Sequence, residues 1–241
     1  MEGTADTELR AEITALSAVL TEEARRELAA RYHFDRAALP RINILYEAAA
    51  PLIRAQGCFA VRDGTAYCGV TLGAAPDALQ ELYGGAGAVS DAYILECIGS
   101  MLLEQAYDGL EDALFARTGK FLRRRVFPGA GMPLAQTAGI LQLFSADGAD
   151  FPVSCNACYQ MRPKMSVVYT GRLTERCAER AGGICGDCPR RDCESRRAPD
   201  TAGRGGRYAA PAGERAGGHM PVNYSYGYQR IFGAADGKDK T

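Results

Sequence analysis

The sequence predicts an α+β fold in which a long central helix packs on a mixed or antiparallel sheet. Three observations support this prediction. A long amphipathic segment lies between residues 91 and 117, an Asp-Gly dipeptide joins two β-prone runs, and the elements do not alternate strictly between strand and helix. The chain has 241 residues, of which 47% are apolar, so it is long enough to bury a substantial core.

The predicted central helix runs from about Asp91 to Arg117. Its apolar stripe consists of Leu95, Ile98, Leu102, Ala106, Leu110 and Ala113. The other face, at 100° per residue, carries Tyr93, Ser100, Glu104, Tyr107 and Glu111. Such a mixed face is typical either of a solvated surface or of one wall of a ligand cleft.

The segments before the central helix are predicted to be helices and one hairpin. Residues 7–31, rich in Ala, Leu, Glu and Arg, predict one helix or two short ones, with Thr21 suited to a helix N-terminus. A further helix is expected from Ile42 to Ala55, with a break or kink at Pro51. The runs Cys58–Arg62 and Thr65–Leu72 flank Asp-Gly, which predicts a tight β-hairpin.

The segments after the central helix are predicted to be a loop, a helix and two strands. Proline and glycine in residues 127–133 exclude a helix or a central strand there and indicate a specific loop. A helix is expected over Leu134–Phe144, and strands over Phe151–Val153 and Ser166–Tyr169. We divide the chain into a main domain over residues 1–173, a cysteine-rich segment over 174–194 and a flexible Gly/Ala/Arg-rich tail over 195–241.

Nine cysteines in a chain without a recognisable signal peptide indicate metal or redox chemistry rather than a disulfide framework. We therefore expect a cytoplasmic protein without a membrane span. Cys58, Cys68 and Cys97 lie in apolar segments, where a small buried side chain is expected. The other six cysteines lie between residues 155 and 193.

The spacing Cys177-x7-Cys185-x2-Cys188-x4-Cys193 places four thiols within 17 residues and predicts a metal site. Four thiolates suit either structural zinc or a 4Fe-4S cluster. The group has one CxxC pair where zinc ribbons have two, which favours iron-sulfur. A separate CxxC pair, Cys155 and Cys158, is a secondary candidate: it could supply ligands, act as a redox dithiol, or merely pack.

Charge is distributed unevenly along the chain. Residues 1–120 contain 10 basic and 18 acidic side chains, and residues 121–241 contain 18 and 11, so the halves carry about −8 and +7. A basic second half suits an acidic protein partner or a phosphate-bearing cofactor. Nucleic-acid binding has less support, because aromatic residues are not interleaved with the basic ones.

Three segments carry a resemblance to a known family. The helix from Tyr93 to Tyr107, the loop Arg125-Val-Phe-Pro-Gly-Ala-Gly and the segment Met161-Arg-Pro-Lys-Met-Ser-Val-Val follow one another as in the activation domain of vitamin B12-dependent methionine synthase. The similarity covers about residues 90–171. The resemblance implies the activation-domain fold. The chain as a whole resembles stand-alone versions of that domain, some of which end in a cysteine cluster.

The resemblance also implies a ligand, S-adenosylmethionine, which remethylates reduced cobalamin in that family. Glu104 matches the helix carboxylate, Arg125 the arginine that grips the ligand's carboxylate, Phe127 and Gly129 the backbone contacts, and Tyr169 is nearest to the family's tyrosine. Arginine presents a forked pair of donors to a carboxylate, and glycine lets a ligand approach the backbone. Where the family loop has a proline and a tyrosine, this chain has Val126 and Ala130.

The catalytic modules and the cobalamin-binding pattern of methionine synthase are absent from the sequence. The resemblance therefore implies an accessory protein rather than a complete methyltransferase. It would support reductive reactivation of a corrinoid methyltransferase or corrinoid carrier, with cobalamin held by that partner and an electron relayed by the cysteine cluster. The alternative is a non-catalytic, zinc-stabilised docking module of a corrinoid methyltransferase system.

Overall fold

A computed structural model of the chain describes residues 8–177. The strands are β1 (Leu9–Ala15), β2 (Gln56–Arg62), β3 (Thr65–Thr71), β4 (Phe121–Leu122), β5 (Phe127–Pro128), β6 (Gly131–Met132), β7 (Ser154–Cys155), β8 (Met161–Arg162) and β9 (Ser166–Thr174). The α-helices are α1 (Glu22–Arg31), α2 (Leu39–Ala49), α3 (Ala75–Gly85), α4 (Val89–Thr118) and α5 (Gln136–Ala146). Most of the predicted cysteine-rich segment and the predicted tail lie outside the described residues.

The central feature is a five-stranded antiparallel sheet in the order β1-β2-β3-β9-β4. Helices α1, α2 and α4 pack on one face, where they share a core with Phe59 and Cys68. Helix α5 covers the other face and packs on Cys58 and Val168. Because both faces are covered, the inner strands are buried along almost their whole length. The prediction of an α+β fold is confirmed.

The predicted hairpin is confirmed as β2 and β3. Its two turn residues, Asp63 and Gly64, have φ of 48° and 65°, the left-handed pair that a two-residue turn between twisted strands requires. The predicted central helix is also confirmed, as the 30-residue α4, which ends at Gly119 with φ 68°. Its apolar stripe is buried except at Ala113, which is half-buried.

The second face of α4 is not uniformly solvated. Tyr107 and Glu111 are each only 5% exposed, because the chain that follows the helix folds back over them. Glu104 keeps 23% of its side chain exposed. This face therefore becomes an interior surface toward its C-terminal half.

The prediction for residues 7–31 is wrong in its first half, because Leu9–Ala15 forms the edge strand β1. Pairing with β2 overrides the helical composition. The Asp147 carboxylate reinforces the strand by accepting the Ala11 N–H at 2.8 Å and pairing with Arg62 at 2.6 Å. The second half holds, since α1 begins after Thr21, whose Oγ1 accepts the Ala24 N–H at 3.2 Å.

Three further features of the fold differ from the prediction: where α2 begins, the presence of α3, and the conformation of residues 151–153. Helix α2 begins at Leu39, three residues early, and gives way at Ala50–Leu52 to a 3₁₀ turn that contains Pro51. Helix α3 was not predicted. The segment Phe151–Val153 is not a strand: its apolar residues pack against α5, and the short strand β7 follows it. No helix within residues 8–177 has the length and apolar character needed to cross a membrane.

Candidate functional site

The three segments that carry the family resemblance converge in space. The loop after β4 lies along β9, where the Val126 N–H donates to the Thr170 carbonyl at 2.8 Å and receives the reciprocal bond at 2.9 Å. Phe127 then packs between α4 and β9, with its ring centroid 6.5 Å from that of Tyr107 and 5.6 Å from that of Tyr169. The rings of Tyr107 and Tyr169 meet edge to face at 5.7 Å.

Arg125 lies beneath this aromatic cluster and is only 4% exposed. Its Nε donates to Glu111 Oε1 at 2.6 Å, its Nη2 donates to Asp108 Oδ1 at 3.1 Å, and its guanidinium lies 5.7 Å from the centre of the Tyr107 ring. Burial, the largest single effect, lowers the pKa of Arg125, but Glu111, Tyr169 and Asp108 together outweigh it and hold that pKa above its ordinary value. Arg125 is therefore a cation within the core.

The donors of Arg125 thus point at carboxylates of the chain itself. Glu111 is buried as deeply as Arg125, with 4% of its side chain exposed, whereas Asp108 is 63% exposed. An incoming carboxylate could replace Asp108 at the guanidinium without uncovering the core, but it could not replace Glu111. The predicted ligand role of Arg125 stays a prediction.

Glu104 lies one helical turn before Asp108 on α4. It receives a forked pair of bonds from Arg31 at the end of α1, one of them from Nη1 to Oε2 at 2.7 Å. The two side chains are 23% and 17% exposed, so the pair lies at the edge of the core and ties α1 to α4. An ammonium group that approached Glu104 would meet a carboxylate already bound by a guanidinium.

Tyr169 and Gly129 occupy contrasting environments. Tyr169 is fully buried, which raises the pKa of its hydroxyl well above the ordinary value, and the hydroxyl has no well-formed hydrogen bond among the described residues. It interacts instead with the buried Cys68 thiol. Gly129 is exposed on the loop with φ 80°, a conformation that favours glycine, and its N–H donates to the Met132 carbonyl at 2.9 Å.

Sequence reasoning missed two members of this group, Asp108 and Arg31. Together with Glu104 and Glu111, Asp108 forms a line of carboxylates at positions i, i+4 and i+7 of α4. Each carboxylate of that line binds an arginine from another element. The available signal was this spacing itself, which places three carboxylates on one side of a predicted helix.

The predicted metal ligands fall into two groups. Cys177 is exposed just after β9, while Cys185, Cys188 and Cys193 lie outside the described residues. Cys155 is half-buried, and Cys158 is exposed in the turn between β7 and β8. Within residues 8–177 no three His, Cys, Asp or Glu side chains are grouped closely enough to hold a metal ion. The metal site stays a prediction.

The three remaining cysteines are buried, as predicted. Cys58, Cys68 and Cys97 have no exposed surface. Burial raises the pKa of the Cys58 and Cys97 thiols to about 12, so both stay protonated and unreactive at neutral pH.

No protein-family model matches the chain, and a search of curated proteins found no match. Among solved structures, the chain is similar to the crystal structure of the MetH reactivation domain bound to AdoHcy, with a TM-score of 0.46 and 11% sequence identity. The similarity covers 68% of this chain and 78% of that chain. Values this low establish neither a shared fold nor a shared function.

Proposed function

We propose that the protein is an accessory component of a corrinoid-dependent methyl-transfer system, where it supports the return of inactive cobalamin on a partner protein to its active state. The observation that carries this proposal is the convergence of α4, the loop from Arg125 and β9. These are the three segments that resemble the activation domain, and they meet through Tyr107, Phe127 and Tyr169. The three segments that carry the resemblance therefore lie together in one part of the molecule.

S-adenosylmethionine is the proposed ligand at the solvent edge of this place. Its carboxylate would take the position of Asp108 on Arg125, its ammonium would lie between the Glu104 and Asp108 carboxylates, and Gly129 would allow backbone contact. Glu111 would stay bound to Arg125 and keep the guanidinium in place. The bound ligand would supply the methyl group.

The proposed electron relay uses the cysteines. An iron-sulfur cluster would be bound by thiolates of Cys177, Cys185, Cys188 and Cys193, of which Cys177 lies three residues after the end of β9 and is exposed, as a ligand must be before assembly. The partner is a corrinoid protein or a cobalamin-dependent methyltransferase. The basic charge of the second half of the chain suits an acidic face on that partner.

Calorimetric titration with S-adenosylmethionine tests the ligand. We expect binding by the wild type, and weakening of roughly 10- to 100-fold in Glu104→Gln, because a hydrogen bond to a charged group is lost. Arg125→Ala should abolish binding, with thermal unfolding recorded to show whether that variant folds. Arg117→Ala, which removes an exposed pair with Glu12, is the matched control. Undetectable binding by the wild type at millimolar ligand would refute this part of the proposal.

Metal content and the visible spectrum of the anaerobically purified protein test the electron relay. Iron with acid-labile sulfide in comparable amounts supports it, and absence of both contradicts it. One observation favours the alternative, a zinc-stabilised docking module without a ligand: Tyr107 and Phe127 are each 5% exposed and Tyr169 is fully buried, so these rings fill the space between α4, the loop and β9. Zinc without iron, together with no ligand binding, would support that alternative.

A further inference from the structure

The hairpin formed by β7 and β8 carries two cysteines that the proposed function leaves unused. Cys155 is the last residue of β7, and Cys158 lies in the turn that leads to β8. Cys158 is exposed and Cys155 is half-buried, whereas Cys58, Cys68 and Cys97 have no exposed surface. Among residues 8–177, this hairpin is therefore the place where two cysteines close together in the chain both retain exposed surface.

Hydrogen bonds hold the two cysteines on one short reversal of the chain. The Tyr159 N–H donates to the Asn156 carbonyl at 2.9 Å, and the Asn156 N–H donates to the Gln160 carbonyl at 3.0 Å. The Asn156 Oδ1 also accepts the N–H groups of Cys158 at 2.9 Å and Gln160 at 3.0 Å. These bonds join nitrogen and oxygen atoms and use no sulfur, so the turn does not require the thiols to be free.

The two cysteines differ in their surroundings. Cys155 is directly opposite Met161 in the hairpin and packs with it against the apolar cluster beneath α5. Tyr159 has φ 62°, which turns the chain back immediately after Cys158 and leaves that residue exposed at the tip. Because thiol–disulfide exchange depends on access to the sulfur, the exposed Cys158 is the attacking thiol and the less exposed Cys155 is the resolving one.

A redox pair accounts for these two thiols better than a metal site does. A closed metal site needs further ligands, and within residues 8–177 no three His, Cys, Asp or Glu side chains are grouped closely enough to provide one. Oxidation to a disulfide needs only the two sulfurs. The spacing of Cys155 and Cys158, with two residues between them, is that of the CxxC motifs in disulfide oxidoreductases.

We propose that Cys155 and Cys158 form a redox-active dithiol that exchanges with low-molecular-weight disulfides of the glutathione class. The Cys158 sulfur attacks the substrate disulfide: a mixed disulfide forms, the substrate S–S bond breaks, and one thiol leaves with the proton of Cys158. The Cys155 sulfur then attacks Cys158: the Cys155–Cys158 bond forms, the mixed disulfide breaks, and a second thiol leaves with the proton of Cys155. Two protein thiols are oxidised, and one disulfide is reduced to two thiols.

This dithiol is independent of the proposed corrinoid function, and a peptide of the chain reports on it directly. Trypsin cleaves after Arg125 and Lys164 but not between Arg162 and Pro163, so it releases residues 126–164, whose only cysteines are Cys155 and Cys158. The full-length protein is equilibrated under nitrogen with mixtures of reduced and oxidised glutathione at neutral pH. It is then quenched with acid, unfolded, alkylated, digested and weighed by mass spectrometry.

We expect this peptide to lose two hydrogen atoms and both alkylation sites as the proportion of oxidised glutathione rises. Its oxidised fraction should follow the dependence of a two-electron couple, in which one oxidised glutathione is consumed and two reduced ones appear. The tryptic peptide of residues 55–62 carries the buried Cys58 and serves as the internal control, because it should be alkylated in every mixture.

Three single variants assign the roles, with circular dichroism to check folding. Cys155→Ser should retain one glutathionyl group on Cys158, because the resolving thiol is missing. Cys158→Ser should lose the internal disulfide and gain glutathione more slowly, because Cys155 is less exposed. Cys177→Ser removes another exposed thiol and is the matched control, which should oxidise like the wild type.

Four results would overturn this assignment. The wild-type peptide could stay fully alkylated in oxidised glutathione, carry glutathione without an internal disulfide, or be recovered linked to another peptide of the chain. Each of these excludes the dithiol while leaving the proposed corrinoid function standing. Equal rates of glutathione uptake by Cys155→Ser and Cys158→Ser would contradict the order of attack.

Discussion

The buried pair of Arg125 and Glu111 offers the sharpest test of how the candidate site is held together. In Glu111→Gln the side chain keeps its size and one oxygen acceptor but loses its charge. The Arg125 guanidinium then stays in the core opposite a neutral amide. Asp108, which is 63% exposed, compensates only part of the charge, because water screens it.

The expected magnitude follows from burial. Removal of one partner from a buried ion pair costs about 3–5 kcal/mol, and the contribution of Asp108 places this variant near about 3 kcal/mol. For a domain of this size each kcal/mol lowers the unfolding temperature by about 2–4 °C, so Glu111→Gln should lower it by about 6–12 °C. Asp108→Asn removes the exposed partner and should cost at most about 1 kcal/mol.

Differential scanning calorimetry of the two variants at neutral pH measures both effects. A third variant, Glu111→Leu/Arg125→Met, replaces the pair with apolar side chains of similar length and should recover most of the stability, because no charge is left buried. The reasoning would be refuted if Glu111→Gln were no less stable than Asp108→Asn, or if the double apolar variant were less stable than Glu111→Gln.

Three other predictions concern the surrounding scaffold. Gly171→Ala places a Cβ 2.4 Å from a backbone oxygen and should lower the free energy of unfolding in urea by about 1–3 kcal/mol. Gly109→Ala adds a Cβ with ordinary contacts on a helix and should raise that free energy by about 0.5–1 kcal/mol. Equal effects of the two substitutions would contradict this. Arg41 lowers the pKa of Asp91 below its usual 3.8, so the stabilisation is present above that pH and lost below it; the difference in unfolding temperature between wild type and Asp91→Asn should vanish in acid. Tyr159→Gly should unfold at the same or a higher temperature, because glycine adopts φ 62° without strain, whereas Tyr159→Val should unfold lower.

Local signals predicted much of the fold. The Asp63-Gly64 turn and the apolar stripe of α4 are encoded within a few adjacent residues, and both were found as expected. The strand β1 was not, because its pairing with β2 depends on residues more than forty positions away and on Asp147. Helix propensity in that segment is real but weaker than the pairing.

The candidate site shows the same division. Burial of Cys58, Cys68 and Cys97 followed from their apolar neighbours along the chain. The partners of Arg125 could not be predicted in this way. Glu111 and Asp108 contact Arg125 only because the chain turns back after α4 and places the loop against both α4 and β9. A charged residue in a loop segment gives no local sign that it will be enclosed.

The position of β9 determines when the sheet can be completed. It lies between β3 and β4, and it is the last of the five strands along the chain, with Thr65 paired to Arg172. During synthesis the β2–β3 hairpin and α4 can form early, but β3 keeps an open edge until residues 166–174 have emerged from the ribosome. Contacts between such distant segments slow folding, and an open strand edge can pair with other chains. Nascent chains that stop before Ser166 should therefore be the species that aggregate or recruit chaperones.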